Sequence, residues 1–479
     1  MLNTVFSKNY SNIMAIFLSY LPSRFLVVFN SLIIVPVLAH LLTTNEIGIF
    51  QLSIGILNLV CTCSTDWIAK SALRFYERYS GSNKLDEFFS NLTILTLALY
   101  VIILFGFIFF SDFVTAKLFI PKSVLILTLF IVIPAGIRQF LYQMLRVLNR
   151  PFLYTFSIVL YQISLLALFL LCTGFMPNVF AVLTGMIIAL IIIDIYIINQ
   201  INFKIEFKFV INSSILADCL KYALPQIITN TSIWSILNIN KFIFQYNHFF
   251  SDTAVAGVAW LLVTGLLTPV FSTFLFAVFP TIIQKFETKN RIKPFVTNTI
   301  QLYCALFIPI ASLFCYYSKD LTRIAFSNKY PEAYILISFF AVVLFLHELM
   351  KLFNIKYHLK NKTYIEMSVS LLAALMCLNL NYILIPKLHL LGAGIAMLVS
   401  ILLLFVFNLI IQFKDMDYVS YFRIAKTAAG SVLIGLFSFV FVELLFIPLN
   451  LVYFSILKML LFIFFSYLIS FLLAKRLLN

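Results

Sequence analysis

Four cations stand inside otherwise apolar stretches of this chain: Arg24, Arg138, Lys241 and Lys458. At bilayer depth a lysine or arginine costs about 2.5–3.5 kcal/mol on insertion scales, so such residues face a cavity, a partner or a pathway. The ligand suited to them is an anion in a hydrated cleft. Arg24, two residues beyond Pro22, is the first candidate, with an internal ion pair as its alternative. Lys241 belongs to the polar patch Asn238-Ile239-Asn240-Lys241 and has snorkelling to the interface as its alternative. Arg138 stands within two turns of a helix end, and Lys458 falls on a peripheral span. Their acidic counterparts are Asp66, Asp194 and Glu443, with Glu348 and Glu366 at span ends. A carboxylate such as Asp66 or Asp194 either takes up and releases a proton or neutralises an arginine, and the second is the expectation for each. Thr229, Asn230, Thr231, Ser232, Ser235 and Asn238 make the segment before Lys241 the most hydrophilic helix, the kind that lines water or a polar ligand.

Catalytic and metal motifs are weak by comparison. Asp415-Met416-Asp417 has the D-x-D spacing of metal-dependent sugar transfer but lies in a short connector with no nucleotide-binding domain around it. His347-Glu348 lacks the second histidine of H-E-x-x-H, and neither a P-loop nor a G-x-S-x-G is present. The 7 cysteines fall within or beside apolar runs, and Cys61 and Cys63 face different directions on a helix, so they read as packing residues. Connectors on the outer side are too short for a catalytic loop. The expectation is a protein that is not an enzyme and has no cofactor or metal.

The elements that hold these residues follow from composition. Of 479 residues, 63% are hydrophobic and 11% charged, whereas soluble domains run at about half and a quarter. A water-soluble fold is excluded. With about 20 apolar residues per crossing, spans are predicted at 13–38, 47–69, 88–110, 122–145, 151–175 and 178–198. After a polar linker, others follow at 219–246, 254–283, 296–317, 331–350, 364–385 and 391–412, then 424–446 and 449–473. The fold class is thus an all-α integral membrane protein of about 14 transmembrane helices. The expected division is a six-helix lobe over 1–200, a cytoplasmic linker at 201–218, a second six-helix lobe over 219–413 and two additional helices within 424–473. The first apolar run lacks a basic leader and a cleavage site and is expected to be retained as a span.

The formal charge of +15, from 33 Lys and Arg against 18 Asp and Glu, would suggest nucleic acid in a soluble protein. Here it sorts by side. About 23 of the 33 cations, including Arg74, Arg78, Lys204, Lys285 and Lys351, fall in segments sharing a side with the N-terminus. The positive-inside rule makes both termini cytoplasmic and the number of spans even. Anionic headgroups account for most of this charge, and no nucleic acid is implied. The halves also match weakly at corresponding places: Leu21-Pro22 with Leu224-Pro225, Gly48 with Gly257, and Asn149-Arg150 with Asn361-Lys362. Halves with even numbers of spans enter from the same side, so a duplication would give a pseudo-two-fold along the membrane normal. Two lobes rocking about a central cavity are the architecture this favours. Intramembrane prolines such as Pro36, Pro134, Pro225 and Pro309 permit helix kinks.

At the level of motifs, Gly48-Ile49-Phe50-Gln51 opening the second span and Ala72-Leu73-Arg74-Phe75 closing it resemble a segment of polysaccharide-repeat transporters, the Wzx-type flippases of the MOP exporter superfamily. Leu220 to Pro225, Asn240-Lys241-Phe242-Ile243 and Asn379 to Ala396 are similar to further stretches of that family. Asn240 replaces the acidic member of a common acidic-basic pair. The resemblance implies a MATE-like fold and flipping of an undecaprenyl-diphosphate-linked oligosaccharide, of O-antigen, capsule or exopolysaccharide type, across the bacterial inner membrane. On that implication Arg24, Lys241 and Arg138 would meet the diphosphate, and Tyr20, Trp234, Asn238 and Trp260 would contact sugar. Asp66 and Asp194 would serve in coupling or as ion partners. Membrane lipids and other polysaccharide-assembly proteins are the implied partners. A multidrug or cation antiporter of the same superfamily and a membrane-embedded oligosaccharide polymerase are the competing expectations.

Overall fold

The computed structural model describes residues 24–80, 84–148, 150–201, 212–287, 292–327, 329–359, 362–412, 418–445 and 452–478. The backbone there is almost wholly helical, as bilayer hydrocarbon requires, because it offers no water to satisfy a free N–H or C=O. The helices are α1 (Arg24–Leu41), α2 (Thr44–Ser64), α3 (Asp66–Ser80), α4 (Leu85–Leu118) and α5 (Lys122–Val147). They continue with α6 (Pro151–Phe175), α7 (Val179–Ile201), α8 (Ser213–Tyr246), α9 (Phe250–Glu287) and α10 (Ile292–Tyr316). The last are α11 (Ser318–Phe326), α12 (Ala333–Leu359), α13 (Thr363–Gln412), α14 (Tyr418–Leu445) and α15 (Val452–Leu478).

Eleven described helices are long and apolar enough to cross a membrane. One of them, α13, folds back on itself at His389, where φ is 48° and ψ −125°. Gly392 permits this turn, since a Cβ there would lie 2.5 Å from the Leu384 carbonyl oxygen. The two predicted spans at 364–385 and 391–412 are the two arms of α13. Helix α8 carries Asp218, Lys221 and Lys241, yet its 34 residues rise about 50 Å, ample for a crossing. With α15, whose apolar stretch is Ser455–Leu468, the described helices supply the fourteen expected crossings. Large apolar side chains point outward, among them Phe109 (83% exposed) and Phe152 (82%). Only lipid can cover such a surface.

Local signals set several helix ends. Thr43 and Glu46 form a reciprocal capping box at the start of α2. Pro151 opens α6, where its missing N–H is of no consequence. Asn212 caps α8, and its amide nitrogens reach Asn91 and Glu87 of α4 at 2.9 and 2.7 Å.

The described helices divide into two compact units that depart from the division expected at 200 and 219. The N-terminal unit comprises Val37–Gly257 with Ser370–Ala374. The C-terminal unit comprises Met1–Pro36, Val258–Val369 and Leu375–Asn479. Chain order alone would put α8 in the second lobe and α1 in the first. Instead, α8 packs against α2, α3 and α4 in the N-terminal unit. Trp67 and Ile68 of α3, Phe88 and Phe89 of α4 and Cys219 and Ala223 of α8 share one core there. At the basic end of this core Arg78 pairs with Asp218 at 2.8 Å. The Tyr79 hydroxyl donates to the same carboxylate at 3.4 Å, and burial followed by that negative charge pushes its phenol above the usual range. In the C-terminal unit α10 packs on α12, α14 and α15, so the last two helices are integral to it.

Candidate functional site

Lys241 is the most enclosed of the candidate cations, at 1% exposure within the N-terminal unit. Its ammonium donates to Asn238 Oδ1 at 3.1 Å, one turn back on α8, and its backbone N–H donates to Asn240 Oδ1 at 2.8 Å. Trp234, a further turn back, lies with its ring 5.6 Å from that of Phe242. Both rings sit over Gly55 of α2, where a Cβ would be 3.0 Å from Phe242. The same face of α2 presents Gln51, buried, with no acceptor for its Nε2 among the described residues. Gly257 makes room for it, since a Cβ there would lie 2.2 Å from Gln51 Cγ. Part of the hydrophilic character of α8 is turned inward: Thr229 and Ser232 donate to carbonyls four residues back, at 2.9 and 2.7 Å.

A second polar cluster in this unit centres on Arg138 of α5. Its guanidinium carbon lies 4.3 Å from the centroid of the Tyr161 ring of α6. Tyr142, one turn along α5, meets Tyr154 edge-on at 5.4 Å. Asp194 of α7 is 5% exposed, with no hydrogen-bond donor to either carboxylate oxygen among the described residues, and it interacts electrostatically with Arg138. Asp66 and Arg138 both act on Cys61 of α2. Tyr100 and Thr65 close over Gly136, where a Cβ would stand 2.2 Å from the Tyr100 oxygen. A carboxylate and a guanidinium excluded from water hold each other in the ionised state only while both are present.

In the C-terminal unit, Arg24 opens the described part of α1, with its guanidinium carbon 5.0 Å from the centroid of the Phe276 ring of α9. Its Nε is enclosed, without an acceptor among the described residues. Two turns on, Ser31 packs against Gly265 of α9 so closely that a Cβ would lie 2.4 Å from the serine hydroxyl. Residues seven apart share a helix face, so Ser31 fixes the face of α1 that carries Arg24. Trp260 is packed edge-on against Phe340 of α12 at 5.2 Å. The deep Lys458 pairs with Glu443 at 2.8 Å, joining α15 to α14.

The candidates therefore fall into three groups. Lys241, Asn238 and Trp234 lie along one stretch of α8, while Arg138 and Asp194 share the tyrosine-lined cluster, with Asp66 at its margin beyond Cys61. Arg24 and Trp260 belong to the C-terminal unit, and Tyr20 lies outside the described residues. Sequence reasoning missed the tyrosines. The spacings Arg138 to Tyr142 (four residues) and Tyr154 to Tyr161 (seven) place each pair on one helix face and were the available signal. It also missed the carboxylate ties of α12. Glu348 is bonded to Lys351 at 2.5 Å, and Glu366 of α13 accepts from Asn354 at 3.0 Å and lies 3.1 Å from His358. Among the described residues no three His, Cys, Asp or Glu side chains are grouped to hold a metal ion.

No family model matches the chain, and no curated protein matches it. Solved structures do. A lipid II flippase, MurJ, in an inward closed conformation superposes with a TM-score of 0.75 at 15% identity, covering 97% of this chain and 100% of that one. An inward-facing multidrug resistance MATE family transporter of the MOP superfamily gives a TM-score of 0.56 at 15% identity, covering 88% and 98%. An outward-facing one gives 0.56 at 14%, covering 85% and 96%. This all-helical membrane protein has the fold that the MurJ lipid II flippase shares with MATE transporters.

Proposed function

We propose that this protein flips undecaprenyl-diphosphate-linked oligosaccharide repeat units from the cytoplasmic to the outer face of a bacterial inner membrane, by alternating access. The observation that carries the reading is Arg24, a cation within an apolar helix whose Nε has no acceptor among the described residues and which a serine-glycine contact holds in register. A diphosphate supplies the acceptors such a guanidinium needs. The likeness to a lipid II flippase over nearly the whole chain supports a lipid-linked cargo, and the charge asymmetry of the connectors supports cytoplasmic termini. Lys241, Asn238 and Trp234 of the N-terminal unit and Trp260 of the C-terminal unit, with Tyr20, are the further candidates for cargo contact, and Arg138 with Asp194 and Asp66 forms an internal charge cluster. The partners are the lipid-linked oligosaccharide, membrane lipids and other polysaccharide-assembly proteins.

The test is deletion of the gene followed by complementation. Cytoplasmic lipid-linked units accumulate in the deletion strain and clear with the wild-type chain, but not with Arg24→Ala/Lys241→Ala. Surface polysaccharide at wild-type levels in the double variant would sink the assignment.

Cation antiport is the second reading, favoured by the likeness to MATE transporters and by the buried Asp194 carboxylate. A drug-resistance phenotype without accumulation of lipid-linked units selects it. Single unpolymerised repeats at the cell surface of the deletion strain would instead indicate a polymerase.

A further inference from the structure

Two carboxylates stand near the lysine-rich end of α12, and they are held in different ways. Glu366, at the start of α13, is served on both oxygens: Asn354 Nδ2 donates to Oε1 at 3.0 Å, and His358 Nε2 lies 3.1 Å from Oε2. Glu348, 3% exposed, is served on one. Lys351, one turn along α12, donates to its Oε1 at 2.5 Å, and His347 Nδ1 lies 3.6 Å from that same atom. Its Oε2 has no hydrogen-bond partner among the described residues. The Tyr303 hydroxyl of α10, which feels the Glu348 charge, has none there either. That ring is fully buried among Phe271, Phe274, Phe307 and Phe345.

The lysine is the movable member of the Glu348 pair. Its side chain is 42% exposed on a flexible stem, and it shares a helix with Glu348, so it can turn to water without any helix moving. A carboxylate enclosed as Glu348 is cannot follow it. Left by its lysine, a buried carboxylate takes up a proton, because enclosing the bare charge costs far more. The ionisable groups that face Glu348 are Lys351 and His347 of its own helix and Tyr303 of α10, while Glu366 of α13 acts on His347. Helix α11 meets α12 at the other end, where Lys319 lies over Tyr334. Of the facing groups Lys351 alone is a lysine or arginine, so a proton is what replaces it.

We propose that Glu348 is a proton-binding site of the C-terminal unit, with Lys351 as its exchangeable counter-ion. When Lys351 turns to water, a proton from that water forms an O–H bond on the Glu348 carboxylate; when Lys351 returns, that bond breaks and the proton goes back to water. The ammonium keeps its own protons throughout, and the enclosed charge is balanced in both states. Oε2, the oxygen without a donor, is the one left open for the proton. The site uses none of the cargo contacts proposed above and does not depend on them.

The full chain is placed in nanodiscs, without cargo, and its infrared spectrum is recorded from about pH 8 down to about pH 5, where ordinary carboxylates stay mostly ionised. Wild type gains the C=O stretch of a buried carboxylic acid on acidification. Glu348→Gln, which has the shape of the protonated acid and keeps the fold, does not. Lys351→Gln shows the band already at the alkaline end of the range, and Lys351→Gln/Glu348→Gln loses it. Glu366→Gln titrates as wild type does. A titration that Glu348→Gln leaves unchanged would overturn the proposal. So would a Lys351→Gln chain in which Glu348 stays ionised over the whole range, which would make Glu348 and Lys351 a structural ion pair only.

Discussion

The Lys241 ammonium lies 3.1 Å from Asn238 Oδ1, and both side chains are enclosed within the N-terminal unit. A sequence patch that reads as two polar residues near a bilayer surface is a single hydrogen-bonded pair inside a helix bundle. Hydrogen bonds to charged groups contribute about 1.5–3 kcal/mol, so the bond to Asn238 helps to make a lysine tolerable at this depth.

Replacing it exposes that dependence. Asn238→Leu should destabilise the protein by about 1.5–3 kcal/mol, seen as a lowered melting temperature in nanodiscs. Adding Lys241→Met, which removes the charge at similar length, should recover most of the loss of stability without restoring polysaccharide export. Equal melting temperatures for wild type and Asn238→Leu would show that the pair carries no such weight.

For Arg138 and Asp194 the expected signature is non-additivity. Either Arg138→Gln or Asp194→Asn alone removes the opposite charge that the other, buried group feels, and should lower stability. The double substitution should cost less than the sum of the singles if the two are electrostatically coupled. Additive losses in thermal unfolding would mean that the two do not interact.

The approach of α1 to α9 is a steric matter and has a steric rescue. A methyl group at Gly265 would stand 2.5 Å from Ser31 Cβ, so Gly265→Ala should cost about 1–3 kcal/mol by overpacking and lower export by turning Arg24 from its place. Ser31→Gly in the same chain removes the obstructing atoms and should restore both. Export that stays low in the pair, with stability restored, would argue against Ser31 as the residue that orients Arg24.

Lys458 and Glu443 provide the contrasting case of an ion pair between neighbouring helices that is expected to serve packing and not export. Lys458→Met should destabilise the α14–α15 hairpin by leaving Glu443 unpartnered by the lysine, whereas Lys458→Met/Glu443→Gln should melt near wild type. Complementation by the double variant at the wild-type level is the expected result. Its failure would place this hairpin in the transport path.

Much of this architecture is legible in the residues themselves. Length and apolarity of each run mark the crossings, and Gly392 beside His389 marks the turn that makes two spans of α13. Hydropathy is a local quantity, and the cost of an unsatisfied backbone in lipid turns each apolar run into a helix wherever it lies. The sequence by itself determined that this is an all-helical membrane protein of about fourteen crossings, with its cations gathered on one side. Only tertiary structure decided that α8 joins the N-terminal unit and the start of α1 the C-terminal one. It also decided that Arg138 lies over Tyr161 and within electrostatic reach of Asp194, and that Lys241 donates to Asn238. Helix partners in a membrane are chosen by close packing and not by hydrophobicity, since lipid is as apolar as leucine. The choice therefore rests on single contacts such as Ser31 on Gly265 and Phe242 on Gly55, which no pattern along the chain announces.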